Sequence, residues 1–184
     1  MLRNPDHARR IQQWIACALA LCFAAAAGSA FAAPTLQLPK SGKVVVLGVG
    51  FENDNSMYEP TSAQETARLR HIEQQFKDRL QASGLYTIVP VPAETRAKID
   101  AGQPMGSCGG CEADYAAALG GDIAAWINIQ KVSNLILNLN VYMEDVKARK
   151  MVFVHSVDIR GNTDESWSRS LDYLLKNYLL PPQG

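Results

Sequence analysis

Residues 43–51 read KVVVLGVGF, a run of valine, leucine and phenylalanine that no polar residue interrupts. A strand with one face in water alternates apolar and polar side chains, whereas a strand covered on both faces does not. The run therefore predicts a strand with helices packed on both sides. Such strands pair in parallel across a crossover helix, which favours an α/β fold.

The segments after this strand continue the pattern. Ser62 and Glu65 form a capping-box motif, and apolar residues at helical spacing follow until Gly84. A strand is expected over 86–91, and Pro90 within it indicates an edge strand or a strand end. Two short helices, over 93–101 and 112–119, and a strand over 124–132 are expected to follow. A cap at Asn162 and Glu165 starts a last helix with a predicted apolar stripe. The members of that stripe are Trp167, Leu171, Leu174 and Tyr178.

The clearest single strand lies over 135–146. Odd-numbered positions from Leu135 to Met143 are apolar and even-numbered positions are mostly polar, which is the two-residue period of a strand with one wet face. A charged turn and a strand over 151–159 complete an antiparallel meander. The predicted order is β-α-β-α-α-β-β-β-α, in the α/β (α+β) class. It forms one mixed β-sheet with helices packed on it, in a single domain over 43–180 and a tail over 181–184.

The start of the chain has the layout of a secretory signal peptide. A basic beginning precedes an apolar run over 14–27, and Ala30-Phe31-Ala32 is a small-x-small cleavage site. The run is shorter than the ~20 residues that span a bilayer, so no retained span is expected. Residues 1–32 are predicted to be removed near Ala32, leaving an irregular leader over 33–42 and a periplasmic or secreted protein. Loss of their three arginines and one aspartate moves the net charge from 0 to about −2, which does not favour nucleic-acid binding.

Two cysteines lie outside the predicted signal peptide, Cys108 and Cys111, in the sequence CGGC. They precede a predicted helix, whose dipole favours a thiolate and a redox role. The alternative is a structural disulfide, which an oxidising compartment favours and which the acidic Glu112 and Asp114 also favour. Residue 112 is not the histidine that haem attachment requires, and zinc would need two further ligands. No metal or cofactor is expected.

Acidic residues cluster in the loop after the first strand, at Glu52, Asp54 and Glu59. The carboxyl ends of parallel strands are where open α/β sheets bind ligands, and carboxylate oxygens suit hard cations. The loop is thus a candidate ligand or cation site. The alternative interpretation is a solvated loop that caps the next helix.

The polar face of the 135–146 strand is a candidate partner surface. Its row consists of Asn138, Asn140, Tyr142 and Glu144. An aromatic residue within a polar row can anchor a protein partner, and the alternative is the solvent face of an antiparallel sheet. No pairing of a nucleophile with a base appears in the sequence, so no catalytic residue is assigned and an enzyme is not favoured.

Three stretches carry a resemblance to known proteins: VVVLGVGFEN at 44–53, LQASGLYTIVP at 80–90 and ALGGDIAAWINIQKV at 118–132. They resemble the periplasmic α/β domain of the TolB N-terminal region, of CsgG-type lipoproteins and of LpoB. The Cys-x-x-Cys, the LGxD turn and NLNVYMEDV at 138–146 are similar to an uncharacterised family of secreted bacterial proteins. That resemblance implies a scaffold, and an accessory role beside periplasmic quinoprotein dehydrogenases.

The sequence therefore predicts a periplasmic accessory or adaptor protein that acts by binding a protein partner. Two other functions remain open. One is a thiol-disulfide or redox-linked factor that uses Cys108 and Cys111, and the other is a small-ligand or cation-binding protein. The oligomeric state is not indicated by any pattern in the sequence.

Overall fold

The structure is a computed structural model that describes residues 41–180. The element order confirms the predicted succession of strands and helices. The elements are β1 (Gly42–Asn53), α1 (Ala63–Ala82), β2 (Tyr86–Val89), α2 (Ala93–Ala101), α3 (Cys111–Ala118), β3 (Ile123–Lys131), β4 (Ile136–Asp145), β5 (Lys150–Arg160), α4 (Asp164–Leu174) and a π-helical turn (Leu175–Leu179).

The five strands form one mixed sheet in the order β2-β1-β3-β4-β5. β1 pairs in parallel with β2 and with β3, and β3, β4 and β5 form an antiparallel meander. The pairing of β2 with β1 covers only Gly42 to Val45, so the second half of β1 has β3 alone as a partner strand. The carboxyl ends of β1 and β3 therefore meet at one edge of the sheet.

The two faces of the sheet are covered unequally. Helices α1 and α4 pack on the first face, where the larger core includes Phe76, Ile129 and Trp167. Helices α2 and α3 pack on the second face over a smaller cluster centred on Leu47 and Trp126. Beyond that cluster, toward the carboxyl ends of β1 and β3, the second face carries polar side chains.

The LGGD turn joins α3 to β3 and aligns β3 with β1. A Cβ atom on Gly121 would lie 2.5 Å from Val45 Cγ2, so only glycine fits against β1 there. The next residue, Asp122, accepts a hydrogen bond from Lys43 N at 2.9 Å and donates its own backbone N–H to Lys43 O at 2.8 Å. The turn thus sets the register of the parallel pair.

A β-bulge interrupts β1 between Val46 and Val49. The guanidinium of Arg96 from α2 donates to the carbonyl of Leu47 and, at 3.3 Å, to that of Val46. Gly48 has φ +136°, and a Cβ there would lie 2.9 Å from Arg96 Nη1. Arg96 therefore satisfies carbonyls on the side of β1 that β2 does not reach.

Three local predictions differ from the structure. Leu135, expected to face the core, precedes β4 and is 77 % exposed, because the β3–β4 turn extends to it. The cap of α4 is Thr163 with Ser166, since Asn162 is used in contacts elsewhere. Tyr178, expected in the apolar stripe, is 40 % exposed because the π-helical turn directs Leu175 and Leu179 inward instead.

The predicted signal peptide (1–32), residues 33–40 of the leader and the tail (181–184) lie outside the described residues, and these assignments stay predictions. Gly42, assigned to the leader, already belongs to β1. Within residues 41–180, none of the helices has the length and apolar character needed to cross a membrane.

Candidate functional site

Five large apolar side chains are exposed beyond the carboxyl ends of β1 and β3, on the two loops that follow these strands and at the first residue of β4. Met57 and Tyr58, in the β1–α1 loop, are 85 % and 87 % exposed. Single exposed apolar residues are ordinary, whereas a contiguous group marks an interaction surface. We call this group the apolar tip; its members are Met57, Tyr58, Val132, Leu135 and Ile136.

The two loops of the apolar tip are joined by hydrogen bonds. Asp54 N donates to Lys131 O at 3.0 Å, and Asn55 Nδ2 donates to Val132 O at 3.0 Å. The side chain of Asn134 donates to the carboxylate of Glu59. These contacts hold the two loops that carry the apolar side chains together.

A buried ion pair supports the tip from below. Lys131 Nζ donates to Glu65 Oε1 at 2.8 Å and lies 3.2 Å from Glu59 Oε2. The side chains of Lys131 and Glu65 are only 1 % and 2 % exposed. Asn162 Nδ2 donates to Glu65 Oε1 at 2.7 Å and to Asn134 Oδ1 at 2.8 Å, which ties α1, the β3–β4 turn and the start of α4 together.

The ionisation of this pair follows from its contacts. Burial by itself would raise the pKa of Glu65, but hydrogen bonds from Lys131, Ser62 and Asn162 outweigh it and lower the pKa to about 2. Burial would lower the pKa of Lys131, and its hydrogen bonds to Glu65 and Glu59 raise that pKa instead. Both groups are therefore charged at neutral pH.

The predicted partner row on β4 divides into two parts. Tyr142 stacks on the buried Trp126 with ring centroids 5.3 Å apart, and Glu144 is 8 % exposed. Asn138 and Asn140 are half-buried and lie beyond the helices, nearer the tip. Tyr142 is half-buried like Asn138 and Asn140, so Glu144 is the one member of the row that is buried.

Asn138 and Asn140 belong to an open polar region of the sheet that includes all four longer strands. The strand registers place Gly50, Asn128, Asn140 and Ser156 in one cross-strand row. The adjacent row, one step nearer the tip, contains Glu52, Gln130, Asn138 and Asp158. We call these two rows the amide face. It is continuous with the tip, because Ile136 and Val132 occupy the next positions on the same side of β4 and β3.

The three carboxylates predicted as a ligand loop do not come together. Glu52 accepts from Asn128 Nδ2 at 2.6 Å and Asp54 from Gln130 Nε2 at 3.3 Å, both on the amide face. Glu59 binds Lys131 and Asn134 in the network below the tip. Each carboxylate thus has a separate protein partner in the structure.

A cavity of about 550 Å³ opens beside the second half of β1. Its lining combines Glu52 and Asn128 from the amide face with Arg70, Arg96 and Glu73 from helices α1 and α2. It lies along the carboxyl half of β1, beyond the part of the strand that β2 pairs with. If the protein binds a small ligand, this cavity is the candidate site. Of the three predicted carboxylates, Glu52 lines it and the other two do not.

The sulfur atoms of Cys108 and Cys111 are bonded in a disulfide directly before and at the start of α3. Gly109 and Gly110 between them have φ +72° and +106°, conformations that side-chain-bearing residues rarely adopt. The disulfide is half-buried, and the Arg149 guanidinium beside it donates to Gly110 O at 3.2 Å and to Asp114.

One buried carboxylate, that of Glu112, adjoins the disulfide, and a second, that of Glu144, lies on the strand that α3 contacts. Glu112 is 3 % exposed and accepts a hydrogen bond from the backbone N–H of Gly106. Glu144, on β4, is 8 % exposed. Burial and the nearby charge of Glu112 raise the pKa of Glu144. The structure therefore adds the buried carboxylate of Glu144 to the acidic residues that the sequence placed near the cysteines, and it shows that Glu112 is buried.

The residues of the apolar tip were not singled out in the sequence. Met57 and Tyr58 stood in a polar loop, and Leu135 counted as a core residue by its alternation with Leu137 and Leu139. A signal was present, since two large apolar residues in the otherwise polar segment ENDNSMYEP have no core to enter. Their neighbours across the tip follow only from the pairing of β1 with β3.

Comparison with known proteins identifies a family and a fold. A family model described as "Protein of unknown function (DUF2380)" matches residues 42–179. The search of curated proteins returned no match for the chain.

Solved structures share the fold at low identity. A PelC dodecamer from Paraburkholderia phytofirmans is 13 % identical with a TM-score of 0.50, over 80 % of this chain and 95 % of that one. Lipoprotein GNA1162 from Neisseria meningitidis is 10 % identical with a TM-score of 0.50, over 76 % and 99 %. The LpoB C-terminal domain from Salmonella enterica is 16 % identical with a TM-score of 0.44, over 67 % and 85 %.

Proposed function

The chain belongs to a family described only as proteins of unknown function, and we propose that this member is a periplasmic adaptor that acts by binding another protein. The observation that carries the proposal is the apolar tip. It places Tyr58, Met57 and three aliphatic side chains on two hydrogen-bonded loops. Aromatic residues and methionine are enriched where protein partners bind, and a rigid surface loses little entropy on binding.

The surroundings of the tip define the partner's chemistry. Glu52 and Asp158 lie on the amide face next to the tip, and Asp54 follows β1 and accepts a hydrogen bond from Gln130 of that face. The Lys131 charge beneath is buried and paired with Glu65. Arg160, opposite Ile136 on β5, is one cation beside the tip, so the rim carries three carboxylates and one arginine. Its excess of negative charge complements a protein surface with an apolar centre and basic residues around it. The same acidic rim would repel an anionic lipid surface.

Site-specific crosslinking tests where the partner binds. A photoreactive amino acid at position 58 or 135 should link the protein to one partner in cells, and one at position 151 should not. Met151 is a matched control, because it is 39 % exposed and lies opposite Glu144, at the end of β4 and β5 farthest from the tip. Crosslinks that form at 151 and not at 58 or 135 would place the interface elsewhere.

Binding measurements with the purified partner test the energetics. Tyr58→Ser and Leu135→Ser should each weaken binding by about tenfold or more, since truncating a central anchor costs about 2 kcal/mol. Met151→Ser should leave the Kd unchanged, and Asp54→Asn should reduce the salt dependence of the Kd. Equal affinity of the tip variants would refute the proposal, as would binding of the protein to phosphatidylglycerol vesicles in place of a protein.

The finer proposal, that the partner belongs to a periplasmic quinoprotein dehydrogenase system, is supported by the sequence resemblance alone. It predicts that the crosslinked partner at position 58 is such a dehydrogenase or its cytochrome. Identification of the crosslinked protein by mass spectrometry decides this. Periplasmic location is supported by the signal-peptide layout and by the disulfide.

A further inference from the structure

We propose that the open edge of β1 binds an extended segment of a partner protein, which adds to the sheet as a further strand. The segment would lie in the cavity beside the carboxyl half of β1. None of the five residues of the apolar tip lines that cavity. The edge of β1 is therefore a second binding surface, and it does not depend on the function proposed for the tip.

The edge is open because β2 is short. β2 pairs with β1 over Gly42 to Val45 and ends at Val89, and Pro90 follows it. Proline has no N–H to donate to a neighbouring strand, so it is found where a ladder ends. β1 itself continues to Asn53. Within residues 41–180, the carboxyl half of β1 thus has β3 on one side and no strand on the other.

Alternate residues of this half direct their backbone groups to the open side. Asp54 N donates to Lys131 O on β3, and in a parallel ladder every second residue directs both N–H and C=O to the same neighbour. Residues 50 and 52 therefore bond to β3, whereas Val49 and Phe51 point their N–H and C=O groups away from it. Among the described residues, no hydrogen bond reaches these four groups. Such an edge is a template for a further strand.

Arg96 limits the open edge at its other end. Its guanidinium donates to the carbonyls of Leu47 and Val46 in the bulge, and it lies 3.2 Å from Glu73 Oε1. It therefore takes the place of a neighbouring strand there. The stretch over 49–52 that remains is about 13 Å long, which is the length of a four-residue strand.

The open edge lies in a groove between two helices. The lining of the cavity includes every residue of β1 from Leu47 to Glu52. Helix α1 contributes Arg70 and Glu73, and α2 and the loop after it contribute Ile99 and Met105. Because α1 packs on the first face of the sheet and α2 on the second, an added strand would have one wall on each face. Strand addition with side-chain contacts on both faces is a known mode of peptide recognition.

The unpaired charges of the two walls define the chemistry of the peptide. Arg70 on α1 and Asp100 on α2 are exposed, and in the part of the chain that the structure describes neither has an ion pair or a hydrogen bond. The other charged residues of the lining have partners: Glu52, Glu73 and Arg96. Successive side chains of a strand point to opposite faces. We therefore expect an acidic residue toward α1 and, next to it, a basic residue toward α2.

Amide hydrogen exchange in the purified protein, followed residue by residue by NMR, tests whether the edge is open. The amides of Val49 and Phe51 should exchange about tenfold faster or more than those of Gly50 and Glu52, which bond to β3. Equally slow exchange at all four positions would mean that another segment, such as residues 33–40, already covers the edge. That result would overturn the proposal.

The capped peptide Thr-Val-Glu-Lys-Val-Thr is the probe for binding. At saturation it should slow exchange of the Val49 and Phe51 amides about tenfold or more, because they then donate to the peptide. Methylating the backbone nitrogen of its Glu or of its Lys should abolish binding at one of the two positions only, since neighbouring N–H groups of a strand point to opposite sides. If both methylated peptides bind as well as the parent, the peptide is not paired with β1, and the cavity binds charged small molecules instead.

Charge reversal on α1 tests the orientation of the peptide. Arg70→Glu should weaken binding of the probe by about threefold or more, and a probe with Lys in place of its Glu should bind this variant better than the wild type. Arg169→Glu is the matched control, because Arg169 is 74 % exposed on α4 and does not line the cavity. Equal weakening by both variants would show a response to net charge alone and would overturn the placement in the groove. Unfolding curves verify that each variant is folded.

Discussion

The ammonium of Lys131 lies 2.8 Å from the carboxylate of Glu65, and both side chains are almost completely buried. The pair connects the end of β3 to the first turn of α1, directly beneath the apolar tip. Glu65 also completes the capping box of α1, accepting from Ser62 N at 2.7 Å. One carboxylate therefore serves the start of the helix and the support of the binding surface.

Lys131→Met should lower the free energy of unfolding by about 3–5 kcal/mol, because it leaves the Glu65 charge buried without its cation. The double variant K131M/E65Q should recover much of the loss. Urea denaturation measures both. The exposed pair Lys98–Glu94 is the control, and Lys98→Met should leave the free energy of unfolding nearly unchanged. If Lys131→Met lowered the free energy of unfolding as little as Lys98→Met, the buried pair would not stabilise the fold.

Acid should destabilise the protein through Glu65. Its folded-state pKa of about 2 is below the ordinary 4.5, so its contribution is fully present above about pH 4.5 and disappears as the pH falls toward 2. That contribution is on the order of 3 kcal/mol. Stability curves over this range should be flatter for Glu65→Gln than for the wild type. Glu94→Gln, at an exposed carboxylate, should keep the wild-type slope, and an unchanged slope for Glu65→Gln would contradict the assignment.

Gly121→Ala should destabilise the protein by about 1–3 kcal/mol, since the new Cβ would meet Val45 Cγ2 at 2.5 Å. If that clash is the cause, Val45→Ala makes room for it. The double variant V45A/G121A should then be more stable than the sum of the two single losses implies. Thermal or urea unfolding of the wild type, the two single variants and the double variant measures the coupling energy between positions 45 and 121. If the two losses of stability simply add, the contact with Val45 is not what destabilises Gly121→Ala.

The C108S/C111S variant should lose about 2 kcal/mol or less, because the disulfide closes a very short ring. If the disulfide only holds the loop before α3, partner binding at the apolar tip should persist at the wild-type Kd. Loss of function in cells with the fold and the Kd intact would instead support the redox-linked alternative. Unfolding curves and titration with the partner distinguish the two outcomes.

Much of the fold could be predicted because its signals are local. The uninterrupted KVVVLGVGF run, the Ser62–Glu65 capping box and the alternation from Leu137 to Met143 each report on residues close in sequence. Errors arose where a boundary depends on tertiary packing. Leu135 continues the alternation but lies in the turn, and Tyr178 continues the helical stripe until the π-helical turn rotates the chain.

The candidate sites were harder to predict, because their members come from distant segments. Glu52, Asp54 and Glu59 look like one cluster in the sequence, yet side chains on β3 and in its turn bind them separately. In the opposite sense, Glu112 and Glu144 lie in different elements and come near each other when α3 packs on the sheet.

The sequence by itself determined the order of strands and helices, the buried character of β1 and the position of the two cysteines, because short-range patterning and backbone conformation decide these. Only the tertiary structure decided the apolar tip and the surroundings of the disulfide. The parallel pairing of β1 with β3 brings Tyr58 to the same edge as Leu135, and packing of α3 on the sheet leaves Glu144 buried near Glu112. Local sequence patterns predict neither of these two proximities, because each depends on which distant strand or helix packs against a given part of the sheet.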